Sequence, residues 1–463
     1  MRELRPDRAL EGHVPASSPF SPRRAFESLS PLAKPLVRYR VEEAWEQDTA
    51  TLAPALQRYR RRLRAFATRE LAPRALRVDA EPHRAPGDAG PDRHAVLVAA
   101  GREGLLGDLL PKPIGSGDPA LALAPMHLTA ALKTEELAAV DGGLMLLVCA
   151  HSLGVAPILL SGSVKHLRRV LMPAFRASER GEHHLFAFAI TEPAAGSDAE
   201  EGHGASAYTP GCVARRVEGG FLLRGRKVFI SGGDLAEETV VFAALEGEGM
   251  ESWTAFLVDR DARGFEVART EWKMGMRASG AAELALDDVF VPDDRVVGEP
   301  RSGWALNRAT LNLSRIPVAG MAVGFARAAT ELALDFACRT SLGTKRLVDY
   351  QDVQLELAEM IAETQAARAM VWSAASRLRP LQRESSAAKL HCTDAAFRCA
   401  TRAMDLLGNH AVLHGNGVEK VLRDTRLTQI FEGTNQINRL AVIEDLQEEI
   451  LARIERGPTA APR

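Results

Sequence analysis

The hydrophobic pattern of this chain changes period twice, and that limits the fold more than any other feature. Over residues 42–181 apolar side chains recur every three to four positions. At about Leu185 the spacing falls to two, and after Pro292 and Gly303 helical spacing returns. Side chains share a helix face every 3.6 residues and a strand face every two, so a segment written for one cannot serve as the other. The chain therefore sets a β block between two helical blocks, and no internal repeat is present.

In the first block Leu56, Tyr59, Leu63 and Phe66 mark one helix. Residues 128–139 mark another, ended by Asp141-Gly-Gly. Ser163 caps a helix that runs to Leu171 and is closed by Pro173. Residues 144–160 are apolar nearly all round, yet the chain has no run of eighteen apolar residues, so this stretch reads as a buried core helix too short to span a bilayer. In the middle block, strands are expected at residues 213–217, 221–223, 227–230, 239–244, 254–258, 265–268 and 284–291, separated by Gly, Asp and Glu clusters. In the last block, helices are expected at 304–313, 318–338, 353–379, 385–407 and 418–430. Val353, Leu357, Met360, Ile361, Thr364 and Val371 share a bundle-facing side.

The predicted organisation is α+β and mainly α. It comprises an extension over 1–44, a helical domain over 45–184, a β barrel or sandwich over 185–300, a helical bundle over 301–456 and a tail over 457–463. The extension is rich in Arg, Pro and Ser without an apolar core, so it is no secretory signal; Glu3, Asp7, Glu11 and Glu27 argue against a transit peptide. A net charge of −2 over 463 residues gives no reason to expect nucleic acid or an anionic membrane as partner. The five cysteines (Cys149, Cys212, Cys338, Cys392 and Cys399) are odd in number and lack CxxC spacing, which argues against a disulfide framework or zinc site and for a reducing, cytoplasmic compartment. His410 and His414 have the i, i+4 spacing of a helix-borne metal pair, but no third ligand follows, so they read as structural and no metal is expected. GxGxxG, Walker A and GxSxG motifs are missing, which leaves nicotinamide chemistry, nucleotide hydrolysis and serine hydrolysis without a basis.

Chemistry concentrates in Thr428-Gln-Ile-Phe-Glu-Gly-Thr-Asn-Gln-Ile-Asn-Arg439. Glu432 lies between an Ile-Phe pair and Gly433, which sets a carboxylate among apolar groups; burial raises its pKa and makes it a better general base near neutrality. Gly433 permits close approach of a ligand, and Thr434 or Asn435 can cap the helix that follows. On its own, a glutamate before a glycine is more often a solvated helix end.

The stretch Gln-Ile-Phe-Glu-Gly-Thr-Asn-Gln-Ile-Asn-Arg resembles the catalytic segment of the acyl-CoA dehydrogenase family, whose base is the glutamate of this motif. The resemblance extends over about residues 45–450 and implies an N-terminal helical domain, a middle β domain and a C-terminal four-helix bundle. It also implies FAD as cofactor. Phe188-Ala-Ile-Thr-Glu-Pro-Ala-Ala-Gly-Ser-Asp198 is similar to the flavin-binding opening of the family's β domain. That match implies flavin contacts from Phe188, Ile190, Thr191 and Gly196, with Ser197 facing a phosphate or pantetheine. In Leu223-Arg-Gly-Arg-Lys-Val-Phe-Ile-Ser-Gly-Gly-Asp234, Phe229 and Ser231 stand where the family more often has Trp and Thr against the flavin.

Arg339-Thr-Ser-Leu-Gly343 and Gln351 resemble the contacts that a neighbouring subunit makes to adenine and pyrophosphate, with Leu342 in place of an aromatic residue. Asp405 and Gly408 occupy a segment that usually reads Gln-x-x-Gly-Gly, and a carboxylate there would repel pyrophosphate. Thr434 and Gln436 complete the implied cofactor set. Toward the substrate, the resemblance implies that Asn312 bonds pantetheine, that Arg315 steadies the thioester end or the catalytic loop, and that Gly433 approaches the ligand. Some members carry their base on the Asn312-Leu-Ser-Arg315 helix. Here that position is Ser314, which leaves Glu432. The loop over 199–212 is longer than usual and is read as a cover for the cofactor or the thioester carrier.

The implied reaction is α,β-dehydrogenation of an acyl thioester, on CoA or a carrier protein, to a trans-2-enoyl thioester. Glu432 takes the α proton, and electrons pass on to an electron-transferring flavoprotein. A homotetramer, and at least a dimer, follows from a cofactor site shared between subunits. The competing readings are an acyl-CoA oxidase, nitroalkane oxidase or flavin hydroxylase on the same scaffold, and a non-catalytic protein that binds acyl thioesters.

Overall fold

The computed structural model describes residues 22–34, 45, 51–81, 84–197 and 202–456. Most of the extension over 1–44, the tail and the start of the 199–212 loop lie outside the described residues. Helix α1 (Pro54–Phe66) buries Leu56, Tyr59, Leu63 and Phe66, the face that the spacing predicts. It is followed by α2 (Gly90–Arg102), α3 (Met126–Ala138) and α4 (Gly142–Leu160). Asp141 serves both sides of its turn: the Asp141 carboxylate accepts a hydrogen bond from the Leu144 N–H at 2.7 Å, so the residue that ends α3 also starts α4.

Two expectations here need correction. At 19 residues α4 is long and apolar enough to cross a bilayer, so length does not decide its role; within the fold its 18-residue apolar window is 61% buried, packed against the C-terminal helices and the first strand. Pro173 does not close a helix. The chain passes through a widened turn at Leu167–Leu171 and continues as α5 (Met172–Glu179), with Pro173 in the first turn, where a missing N–H costs little.

Among the described residues the β block has eight strands: β1 (Phe186–Ala189), β2 (Val213–Val217), β3 (Gly220–Ser231), β4 (Glu238–Leu245), β5 (Thr254–Asp259), β6 (Phe265–Thr270), β7 (Ala281–Pro292) and β8 (Val296–Val297). They pair in the order β6-β7-β3-β2-β4-β5-β8, with β1 parallel to the first half of β4. The two strands expected at 221–223 and 227–230 are one strand, interrupted by register shifts after Leu223 and after Lys227. Gly225 sits at the first irregularity, where a Cβ would lie 2.6 Å from Cys212 Cα.

Helix α6 (Gly303–Arg339) runs unbroken through Pro317, where the sequence suggests two helices. A proline inside a helix costs about 3 kcal/mol, and packing outweighs it here. Thr134 Oγ1 donates to the Pro317 carbonyl at 2.7 Å. At Gly320 the helices come so close that a Cβ would meet Ala131 O at 2.6 Å. The C-terminal block continues with α7 (Gln351–Ala375), α8 (Gln382–Leu407), α9 (Val418–Thr428) and α10 (Asn435–Arg456). On α7, Leu357, Met360, Thr364 and Val371 are buried, while Val353 and Ile361 are half-buried at the edge of the same face.

Charged groups pin the helical blocks together. Glu136 on α3 accepts from Arg60 of α1 at 2.5 Å and from Arg327 of α6 at 2.9 Å. The adjacent Glu135 accepts from Arg368 of α7 at 2.5 Å. Burial would raise the Glu136 carboxyl, but the guanidinium groups of Arg327, Arg60 and Arg64 outweigh it and hold the group at about 2. A second knot joins α4, α9 and the β block. Lys420 bridges Asp141 at 2.7 Å and Asp424 at 2.5 Å, and Asp424 accepts from the Met276 N–H at 2.5 Å.

Removing one partner of such a network strands buried charge. Glu136→Ala is expected to cost about 3–5 kcal/mol in denaturant unfolding. Because the folded Glu136 pKa is depressed, its stabilisation is complete above the ordinary carboxylate range and is lost as pH falls toward about 2.

Candidate active site

The segment between α9 and α10 turns sharply. Glu432 has φ 55° and Gly433 φ 77°, two successive left-handed residues. A residue with a Cβ is strained in that region by about 1–2 kcal/mol, so neighbours must hold it there. Arg315 on α6 donates to the Glu432 carbonyl at 3.4 Å and to Ser386 Oγ at 3.0 Å. The buried Lys389 of α8 donates to the Gly433 carbonyl at 2.7 Å and to Asn435 Oδ1 at 2.9 Å. Asn438 donates to the carbonyls of Gly433 at 2.8 Å and Thr434 at 3.0 Å. Of the two candidate caps, Thr434 takes the role by accepting from the Ile437 N–H at 3.3 Å, while Asn435 turns inward to Thr393 and Asp394. From the β block, Ser197 Oγ accepts the Thr434 N–H at 3.0 Å.

So held, Glu432 directs its carboxylate into a cavity of about 330 Å³. One wall is a stripe along α4 (Leu146, Ala150, Leu153, Ala156 and Leu160), which at 1.5 Å per residue is roughly 21 Å long. Helices α3 and α6 supply the opposite walls, and Ser231, Ser314 and Glu432 stand among otherwise mostly apolar groups. Ser314 Oγ donates to Glu432 Oε2 at 2.6 Å. Desolvation pushes the Glu432 carboxyl above its usual value, opposed by the Ser314 hydrogen bond and the charges of Arg315 and Lys389.

The second register shift in β3 falls between Lys227 and Ile230, and it re-aims two side chains. Phe229, at φ 56°, leaves its ring 62% exposed, and Ser231 reaches the cavity wall. Behind the shift, buried Lys227 pairs with Glu192 at 2.7 Å and donates to the Ile190 carbonyl at 2.9 Å. Glu192 also accepts from Tyr208 at 2.5 Å and from the Gly211 N–H at 2.6 Å. Its carboxyl lies below the usual range because Lys227 and these donors outweigh its desolvation. The Val228 N–H donates to the Thr191 carbonyl at 3.0 Å, which ties the Ile190–Gly196 turn to β3.

Most of the residues singled out from sequence converge here. Glu432, Gly433, Thr434, Ser197, Arg315 and Ser231 share one neighbourhood, with Ile190, Thr191 and Gly196 on the turn beside Phe229. Others face elsewhere. The Phe188 ring packs in the β core, 5.2 Å from that of Phe242. Asn312 faces α8, accepting from Ser385 at 2.6 Å and donating to the Pro380 carbonyl at 3.4 Å, and does not line the cavity. Gln436 is exposed. Arg339 is exposed and pairs with Asp335 at 2.7 Å. Leu342, Gln351, Asp405 and Gly408 also lie on the surface, outside the cavity lining.

His410 and His414 do not share a helix, because α8 ends at Leu407. His410 packs on Phe336 with ring centroids 5.3 Å apart, and His414 meets Glu419 at 2.8 Å. Ligating atoms of Asp79, His414 and Glu419 lie within 4.8 Å of one another, but Arg423 donates to both acids, at 2.6 Å and 2.5 Å, so the group is an ion-pair network.

Sequence reasoning did not select Lys389, Asn438, Glu192 or Lys227, and named Ser314 only as a place without an acid. A lysine inside an apolar strand at 227 and another inside the small-residue run of α8 were the available signals. An outward aromatic ring, hydroxyls at Thr191 and Ser231, and a Gly196 whose added Cβ would, among the described residues, meet only Thr191 Cγ2 at 3.9 Å fit a flat, polar-edged ring system such as a flavin.

The chain matches the profiles of the acyl-CoA dehydrogenase N-terminal domain over residues 54–178, middle domain over 187–289 and C-terminal domain over 301–447. It is 34% identical over 385 residues to cyclohex-1-ene-1-carbonyl-CoA dehydrogenase of Geobacter metallireducens, covering 82% of this chain and 94% of the relative. The structure of butyryl-CoA dehydrogenase from Megasphaera elsdenii superposes with a TM-score of 0.76 at 28% identity, over 86% of this chain and 99% of the other. An acyl-CoA dehydrogenase from Bacillus anthracis, solved in complex with FAD, gives a TM-score of 0.76 at 25% identity, over 87% of this chain and 68% of that one. With all three domain profiles matched in order around a carboxylate that faces an apolar cavity, the chain belongs to the acyl-CoA dehydrogenase family of FAD-dependent oxidoreductases.

Proposed function

We propose that the protein oxidises an acyl-CoA to its trans-2-enoyl thioester with Glu432 as the base. The observation that carries this reading is one carboxylate, raised in pKa by burial, at the wall of an elongated apolar cavity and held there by a strained loop. An α proton next to a thioester leaves only when the developing enolate is stabilised as it forms. Among the described residues the Glu432 main-chain N–H has no hydrogen-bond partner, which makes it the donor available for the thioester oxygen. Arg315 and Lys389 hold the carbonyls of residues 432 and 433 away from that position. Ser314 keeps the carboxylate oriented and favours its ionised form. Thr191, Phe229, Ser231 and Ser197 would hold FAD, which when bound supplies the acceptor for the β hydride. Closing the apolar cavity around the acyl chain excludes water from the proton transfer.

Electrons then pass, in this reading, to an electron-transferring flavoprotein. A relative, 29% identical, is the caffeyl-CoA reductase-Etf complex subunit CarC of Acetobacterium woodii. The active form proposed is a homotetramer in which Arg339, Gln351, Asp405 and Gly408 serve a neighbour's cofactor. Helix α10 supports association, since Leu440, Ile443, Leu446, Ile450 and Ile454 form an exposed apolar stripe at helical spacing. Five free cysteines are consistent with a cytoplasmic setting.

Glu432→Gln is expected to slow anaerobic bleaching of the flavin by a thioester substrate by about 10²–10⁴-fold; bleaching near the wild-type rate would remove Glu432 as the base. Activity requires the ionised carboxylate and falls as pH drops through its pKa. Ser314→Ala deletes a group that lowers this pKa, so the acidic limb of the pH profile moves to higher pH, and Ser314→Thr moves it back.

A further inference from the structure

A second chamber, about 90 Å³, adjoins the acyl cavity and is lined by Tyr59, Arg62, Asp108, Leu121, Ala122 and Thr129 among others. The two spaces share two lining side chains, Leu109 and Met126, which line both. Beside them an ion pair crosses the same wall: Lys133 lines the first cavity, and its ammonium meets Asp108, which lines the second, at 2.6 Å. Tyr59 donates to the other Asp108 oxygen at 3.0 Å, so the polar part of the wall is fixed. The movable part is apolar. Met126 is unbranched, 40% exposed and sits at the first turn of α3, and Leu109 lies in the connection between α2 and α3, outside any helix.

Resting on the acyl-CoA dehydrogenase reading, we propose that Leu109 and Met126 form the partition that sets acyl-chain length, and that the second chamber takes the far end of acyl groups too long for the first cavity. The α4 stripe gives the first cavity an elongated apolar wall, and Leu109 and Met126 are the side chains that this cavity shares with the second chamber. Leu121 and Ala122 join Leu109 in giving the second chamber an apolar side, and the exposed Arg62 lines it as well. A methylene that gains or loses its place in such a pocket changes kcat/KM by about tenfold or more.

The test uses the FAD-loaded protein and a series of straight-chain acyl-CoAs from butanoyl to octadecanoyl. Two readouts are taken: kcat/KM by flavin bleaching, and Kd of the matching enoyl-CoAs by titration calorimetry. Leu109→Ala and Met126→Ala are each expected to raise the ratio of long-chain to medium-chain kcat/KM by at least about tenfold, with a parallel shift in Kd. Leu109→Trp moves the cutoff to shorter chains. A length profile that stays in place in the folded variants, while shorter thioesters still bleach the flavin, overturns the partition alone. Failure of every thioester to bleach the wild-type flavin overturns the underlying reading with it. Met126→Ala, at a partly exposed position, keeps the test valid should Leu109→Ala not fold.

Discussion

A carboxylate facing an oily cavity, on a backbone bent into a conformation its own Cβ disfavours, is what the rest of the molecule is arranged to maintain. The bend at Glu432 and Gly433 is held from three sides: Arg315 and Ser314 on α6, Lys389 on α8 and Ser197 at the edge of the β block. None of these anchors is near 432 in sequence. The two buried cations meet main-chain carbonyls, so they fix the loop without forming an ion pair that would hold the Glu432 side chain itself. That division leaves the carboxylate, among the described residues, with one neutral donor, Ser314, and a pKa governed first by desolvation.

The order of helices, strands and helices was legible because burial of one face imposes a period, and the period is visible in a linear string. The acid itself was legible because apolar neighbours and a glycine flank it. What stayed hidden was non-local. Pro317 reads as a break, and only the close approach of α3 at Gly320 and the Thr134 hydroxyl show why α6 continues. The widened turn ahead of Pro173 likewise depends on hydrogen-bond spacing that no composition encodes.

Among side chains the same limit applies. Ser314 is an ordinary helix serine until α6 is laid beside the 429–434 loop, and Lys389 is an unexplained charge until its ammonium is seen beneath Gly433. Asn312 lies one turn before Arg315 on the side of α6 that meets α8, and its amide is engaged there by Ser385 and the Pro380 carbonyl, so spacing along the motif suggested a ligand contact in place of a helix–helix one. Phe188 follows the strand alternation into the β core for a comparable reason.

The knot of Asp141, Lys420, Asp424 and the Met276 main chain has a consequence for how the molecule comes apart. One ammonium joins the start of a cavity-lining helix to the helix that precedes the 429–434 loop, and one carboxylate joins that second helix to the β block. Loosening any one block exposes the charges of the other two, so melting should be concerted, without a half-folded species that keeps Phe229 and Ser231 in place but lacks the 429–434 loop.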